Sequence, residues 1–378
     1  MRIAFAAIYD LDDINRGSGT YHYIYNEIKK QKIEIFKIGP IDIKFPIISK
    51  IFRFFAKRIL KKRYRSYQDP FVGRQIGKIV RAQLSKEKYD ILVTNDFAIA
   101  GYTKIQKPTI LWTDAVFPYD YKTNNHPWLK NLPWFAVKFC QAVTRAGLKR
   151  AITFVPAHWN AKELTKYGLN SSNQIKVIPF GANLNDPGKE VSQFRINRIK
   201  DKNNIDILFV GKDKKLKRLD MAVEIVTLLN EKNYDAHLHV VGIENHLNSR
   251  YIDYYGILNK EIKDQRNEIF KLYTLCDIFL LPSIAEGYGI AYMEASAFGM
   301  PQIGCKTQGV TTSVKDGISG KLFNVDDTPI SYVKTIISWK KDMYYYDYLV
   351  SGARKHFEEN GKWENIIKRF IYEVRQII

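Results

Sequence analysis

At 378 residues the chain is too long for a single core of ordinary size, so two domains are expected. Its 46% hydrophobic and 26% charged residues exclude a fibrous or disordered chain. Lys and Arg outnumber Asp and Glu by 59 to 39, and the resulting formal charge of +20 calls for an anionic partner: nucleic acid, an anionic membrane face or a phosphorylated substrate.

The stretch Met1 to Ile8, apolar apart from Arg2, is too short, and too soon followed by acids, for a signal peptide. No run approaches the roughly 20 apolar residues of a membrane-spanning helix. Cys140, Cys276 and Cys305 are scattered without metal spacing or a disulfide framework, so a cytoplasmic, reducing location is expected. Arg2 to Ile8 reads as a first strand, and Arg16-Gly-Ser-Gly-Thr20 as a turn into a helix with apolar positions at Tyr21, Ile24, Tyr25 and Ile28. A Gly-rich turn after a first strand is a candidate phosphate-facing edge, and equally a common loop.

From Lys44 to Ser66 the chain carries nine Lys or Arg and no acid, interleaved with Ile47, Ile48, Ile51, Phe52, Phe55 and Ile59. On a helical wheel these apolar residues share one face, and Lys50, Arg53, Lys57 and Lys61 the opposite one. Such a helix suits the interface of an anionic leaflet, with Lys50, Arg53, Lys57, Arg58, Lys61 and Lys62 as the expected contacts, each worth about 1 kcal/mol near the surface. The pattern also fits a helix packed on its own domain with a solvated basic face.

Asp90 to Thr94 and Thr109 to Thr113 read as further strands, the second running into Asp114. A strand-end Asp is more often a helix cap or turn residue than a catalyst, and His126 beside Pro127 reads as a loop residue. A helix over 138–150, a strand over 152–156 and a helix from about residue 160 follow. The polar segment 186–204 reads as a connection of low order, which sets a boundary near residue 185 and domains of 1–185 and 186–378.

The second half restarts with the strand Ile205 to Val210 and the turn Gly211-Lys-Asp-Lys-Lys-Leu-Lys-Arg218. So many crowded cations are costly unless an anion neutralises them; lysines here serve as point-charge phosphate binders, or else the loop is simply solvated. His237 and His239 alternate along a strand and read as its polar face rather than as a metal site.

The most informative stretch follows the buried strand that begins at Ile278. Glu286-Gly287-Tyr288-Gly289 reads as a tight turn, and about 288–298 as a helix stopped by Gly299 and Pro301. That order aims backbone N–H groups and the positive end of a helix dipole at the carboxyl edge of a sheet, where a phosphate docks. Glu286 and Glu294 are placed to accept hydrogen bonds from sugar hydroxyls beside it. An ordinary strand-to-helix connection with two solvated glutamates is the alternative. Taken together, Glu286-Gly287-Tyr288-Gly289, Glu294-Ala295, Gly299 and Pro301 resemble the signature of the retaining glycosyltransferases of family four.

The resemblance covers nearly the whole chain, strongly from Gly211 to Phe323 and weakly before residue 150. It agrees with the alternation of strands and helices through both halves. It implies the GT-B fold: two Rossmann-like doubly wound α/β domains facing across a cleft, with the last helix, about 363–378, packing back on the first. The implied reaction moves a sugar from a nucleotide-diphosphate donor to an acceptor with retention. Glu286, Lys212, Lys217 and Asp114 are then the expected catalytic residues. Gly17, Gly19, Lys212 and Lys217 are implied to reach the donor diphosphate, and Gly256 and Ile257 the base. The N–H groups of Gly287, Tyr288 and Gly289 are placed to stabilise the departing diphosphate, Glu286 to bind the donor sugar and Glu294 the ribose. Family members carry a His-Asp pair where this chain has Thr113-Asp114, so any orienting role falls to Asp114 without the histidine.

No metal or other cofactor is expected, since lysines and helix ends meet the developing charge. The leaving phosphate is expected to take the acceptor's proton on the same face; a covalent intermediate on Glu286 is the less favoured route. The basic amphipathic face points to a membrane-borne saccharide or lipid-linked acceptor, as in surface polysaccharide or glycolipid assembly, with the protein peripheral on the cytoplasmic face of an anionic membrane. Two other classes fit parts of the sequence. A catalytically silent, membrane-associated GT-B binding protein is opposed by the presence of both glutamates. A nucleic-acid binder is opposed by basic residues clustered in one apolar-faced helix and one turn, so no nucleic-acid partner is expected.

Overall fold

The computed structural model describes residues 1–115, 131–166, 174–200, 204–244 and 249–378. The chain forms two compact units: Met1–Ile178 with Ile367–Ile378, and Pro179–Ile366. It first changes unit at 178/179, where the sequence suggested 185, and the final helix, Trp363–Arg375, starts in the second unit and ends in the first.

In the first unit, β1 (Arg2–Ala6), β2 (Glu34–Ile38), β3 (Ile91–Thr94), β4 (Thr109–Trp112), β5 (Ile152–Val155) and β6 (Ile175–Val177) form one parallel sheet in the order β2-β1-β3-β4-β5-β6. β3 and β4 are buried at every position, as befits parallel strands covered on both faces. Val72, Ile76 and Val80 recur every four residues along the helix Pro70–Leu84 and share a core with Ala4, Leu92 and Leu111. On another part of this unit Phe370 of the final helix stacks on Trp112, with centroids 4.9 Å apart.

In the second unit, β7 (Ile205–Val210), β8 (Ala236–Val241), β9 (Ile252–Tyr254), β10 (Ile278–Leu281), β11 (Gln302–Cys305) and β12 (Gly320–Phe323) form a second parallel sheet, ordered β12-β11-β10-β7-β8-β9. Both units are Rossmann-like and doubly wound. In such sheets ligands bind at the carboxyl ends of the strands where the winding reverses. That point lies between β1 and β3 in the first unit and between β7 and β10 in the second.

Two segments differ from the sequence reading. The stretch 186–204, expected to be of low order, holds the helix Glu190–Lys200. Its Arg195 is buried and donates to the carbonyl oxygens of Tyr273 (2.5 Å), Phe298 (3.2 Å), Thr274 (3.4 Å) and Cys276. These are carbonyls at the ends of the helices Lys263–Leu275 and Ile290–Ala297, which have no partner within their own helices. Composition counts such an arginine as solvent-facing, which is why the segment looked like a linker.

The basic segment is an α-helix over Ile47–Phe54 that widens into a π-helical turn over Phe55–Ile59. Its inward face is Ser49, Phe52 and Ala56 rather than the full apolar stripe of the wheel. Phe52 sits among Phe71, Phe135 and Phe139, with centroids 6.5, 5.3 and 5.0 Å away. Ile47, Ile51, Phe54 and Ile59 remain 77%, 61%, 60% and 59% exposed. Lys50, Arg53, Lys57, Arg58, Lys61 and Lys62 are exposed as well. Among the described residues no helix is long and apolar enough to cross a membrane.

Candidate functional site

Where β7 leaves the sheet of the second unit, Asp213 shapes the turn that leads to the helix Leu219–Glu231. Its Oδ1 accepts from the N–H groups of Lys215 (3.0 Å) and Leu216 (2.9 Å), and its carbonyl from that of Lys217 (2.9 Å). Beside it the chain leaves β10 and turns through Ser283 to Gly289. The two turns are laced together by the Ile284 N–H, which donates to the Leu216 carbonyl at 3.0 Å. Their side chains meet too: Lys217 Nζ donates to Glu286 Oε2 in an ion pair whose members are 15% and 17% exposed.

Glu286 is held from a third direction. Its N–H donates to Gln308 Oε1 (2.9 Å) and its carbonyl accepts from the Gly309 N–H (3.1 Å), in the loop after β11. Gly289, at φ 91°, occupies the left-handed region and caps the helix Ile290–Ala297. A Cβ there would stand 2.7 Å from the Tyr292 ring and 3.3 Å from Glu286 Cγ. The Tyr288 ring is buried edge-on against Phe180, 5.7 Å between centroids, so the Tyr288 side chain serves packing rather than ligand contact.

Lys212 is exposed on the same edge, its stem beside Gly242. The Gly242 N–H donates to the Gly256 carbonyl (2.7 Å), which continues the edge to Gly256 and the 58% exposed Ile257. Arg218 turns elsewhere and donates to the Val325 carbonyl (2.7 Å).

Glu294 lies further along the helix and is engaged separately. Its Oε1 accepts from Lys260 Nζ and its Oε2 from the Tyr273 hydroxyl (3.0 Å). Burial, and then the Glu294 carboxylate, push the Tyr273 phenol well above its ordinary pKa. Lys260 also donates to the Asn183 carbonyl (3.1 Å), while Asn183 Oδ1 accepts from Trp363 Nε1 (3.1 Å). The sequence reading missed Lys260, Tyr273 and Gln308.

In the first unit Gly17, Ser18 and Gly19 all have positive φ (54°, 57° and 82°) and lead into the helix Thr20–Lys30. The turn packs over two tyrosines: a Cβ on Gly17 would lie 3.1 Å from the Tyr9 oxygen and 3.2 Å from the Tyr21 ring. Asn95, directly after β3, donates from Nδ2 to the Tyr9 hydroxyl (2.7 Å). Burial raises the Tyr9 phenol far above its usual value; the Asn95 bond opposes this and the Asp114 and Asp96 carboxylates add to it. Asp114 follows β4, and its backbone carbonyl accepts from Asn160 Nδ2 (2.9 Å). Tyr9 and Asn95 are further residues the sequence did not single out. The signal for them is positional, since both follow strands that flank the reversal. His126 lies outside the described residues.

Residues 191–362, which contain the Lys217–Glu286 pair and Glu294, match the family model described as glycosyl transferases group 1. Over this stretch the chain is similar to the glycosyl transferases of group 1. Among relatives of known sequence, an uncharacterized 41.2 kDa protein in the cps region of Klebsiella pneumoniae is 27% identical over 165 residues, 42% of this chain and 43% of that one. D-inositol 3-phosphate glycosyltransferase of Thermobifida fusca is 28% identical over 240 residues, 58% of this chain and 53% of that one. The chain thus spans about half the length of the curated relatives it matches. Anabaena HepE in complex with UDP and glucose superposes over 99% of both chains, with a TM-score of 0.64 and 12% identity. The two Rossmann-like units are therefore those of the GT-B fold.

Proposed function

We propose that the protein is a retaining glycosyltransferase that moves a sugar from a nucleotide-diphosphate sugar to a saccharide or lipid-linked acceptor. The observation that carries this reading is the Lys217–Glu286 pair at the reversal between β7 and β10. It sets a cation suited to phosphate within hydrogen-bond reach of a carboxylate suited to sugar hydroxyls. HepE, which holds UDP and glucose, supports a nucleotide-sugar donor, and the name of the Thermobifida relative supports glycosyl transfer. The cps region that houses the Klebsiella relative supports a role in polysaccharide assembly.

In this reading the diphosphate takes over the charge of Lys217 and Lys212, and Glu286 turns to the donor sugar. The anomeric carbon–oxygen bond to phosphate breaks, and the negative charge that grows on the diphosphate is met by the two lysines and the N–H groups of Gly287 to Gly289. The acceptor oxygen bonds the anomeric carbon on the same face, and its proton passes to the departing phosphate oxygen. Neither a metal nor a protein nucleophile is needed. Glu294 serves the ribose, Gly256 and Ile257 the base, Gly17 and Gly19 the diphosphate, and Asp114 the orientation of a sugar. The exposed Ile47, Ile51, Phe54 and Ile59, flanked by Lys50, Arg53, Lys57, Arg58, Lys61 and Lys62, support a peripheral position on an anionic membrane, where a lipid-linked acceptor resides.

A thermal-shift screen of nucleoside diphosphates tests the reading. Stabilisation follows occupancy, about 2.7 kcal/mol at a hundredfold excess over Kd. At least one diphosphate is expected to stabilise the chain, and its sugar conjugate to be turned over with the donor's anomeric configuration kept in the product. Glu286→Gln and Lys217→Met are expected to lose about 10²–10³-fold in turnover, and a chelator to change nothing. Lack of response to every nucleoside diphosphate defeats the reading; inversion in the product defeats its retaining part.

A further inference from the structure

We infer that Lys260 is a positioning residue on the ribose side of the donor site, an assignment that rests on the functional reading above. A carboxylate as buried as that of Glu294, 4% exposed, is costly without a counter-charge. Lys260 supplies the charge to Oε1, and the Tyr273 hydroxyl bonds Oε2 at 3.0 Å. Each carboxylate oxygen has about two lone-pair sites, so one bond apiece leaves Glu294 able to accept from two further hydroxyls.

The ammonium of Lys260 has three N–H donors. One goes to Glu294 and one to the Asn183 carbonyl (3.1 Å), whose own side chain is pinned by Trp363. Lysine stems usually wander in solvent, whereas this one is anchored at two acceptors and is 23% exposed. It also follows Gly256 and Ile257 by only a few residues, on the loop after β9 that approaches the base in the reading above. Lys260 therefore gives Glu294 a counter-charge and fixes its rotation, and has a third N–H left for a ligand beside it. A carboxylate that accepts beside an ammonium that donates matches a vicinal diol, whose hydroxyls both donate and accept. The ligand class is a ribonucleoside diphosphate rather than its deoxy counterpart.

The test is calorimetric titration of the full chain with UDP, GDP and ADP, each against its 2′-deoxy counterpart. For the base that binds, the wild type is expected to favour the ribose form by about tenfold or more, the worth of one charge-assisted hydrogen bond. Lys260→Met is expected to bring that ratio close to one, and Lys260→Arg to restore part of it. A melting curve checks that each variant folds; should Lys260→Met not fold, Lys260→Gln is read instead, with the same expected fall. An equal loss of affinity for both forms would reveal only general attraction for phosphate, and would overturn the assignment. So would an unchanged ratio, or a wild type that binds without preferring ribose. A wild type that binds none of the three diphosphates defeats the functional reading itself.

Discussion

A Cβ on Gly309 would collide with the Gly287 carbonyl, standing 2.7 Å from both its carbon and the Tyr288 Cα. The obstacle is backbone, so Gly309→Ala has to displace the turn that carries Glu286, at a cost of about 1–3 kcal/mol. Urea melts are expected to show that loss, and the response to nucleotide to fall further than stability alone explains. Wild-type values in both would mean the turn absorbs a methyl group without moving. Lys212, Lys217 and Glu286 were singled out because they lie in the turns after apolar runs that read as strands, at positions the family resemblance implies. Lys260 was not legible: a lysine in a polar stretch looks like any solvated charge until Glu294 is seen to be buried against it. Tyr9 and Asn95 offered only their positions after strands, because their bond spans 86 residues and exists only when β1 lies next to β3.

At the scale of the element, the basic helix divides its apolar residues between two tasks. Phe52 faces the aromatic cluster of its own unit, and Phe52→Ala is expected to cost about 3 kcal/mol in denaturant melts. Ile51 and Phe54 face outward, so replacing either with Ala is expected to leave melts nearly unchanged and to weaken sedimentation with anionic liposomes. Exchanging Lys57, Arg58, Lys61 and Lys62 for Glu is expected to weaken that association by about 1 kcal/mol for each positive charge removed. Binding that survives this exchange would remove the helix as the membrane contact. The sequence showed the amphipathic character but not which apolar residues point inward. Ser49, Phe52 and Ala56 do share one edge of the wheel, but a serine and an alanine are too weakly apolar to mark that edge as the inward one.

Across the whole molecule, acid is expected to act unequally on the two units. In the second, burial and the nearby Lys315 cation push His356 down to about 4. Its unfolded form titrates near 6.5, so between those values the unfolded chain binds more protons. The stability contributed by neutral His356, on the order of 3 kcal/mol, is therefore present above about pH 6.5 and lost as pH falls towards 4. In the first unit burial raises Asp96 to about 6, against the backbone bonds from Ile99 and Ala98. The sign there is opposite, and its contribution grows as pH falls through 6. Comparing melts of the wild type and His356→Gln from pH 7.5 to 4.5 isolates the histidine: their difference is expected to shift against the wild type as pH drops. A constant difference would rule out the buried neutral imidazole as its source. The two-domain α/β architecture was legible from alternating strands and helices, whereas the order of strands was not, since nothing local to β7 names β10 as its neighbour. That order has a consequence for biogenesis. β7 emerges from the ribosome roughly seventy residues before the strand that covers one of its edges, a gap of about 3–14 s at ordinary synthesis rates. Through that interval its unpaired amides and carbonyls are open to nascent neighbours, so slower translation in the cold and ample chaperone should favour recovery of the native protein.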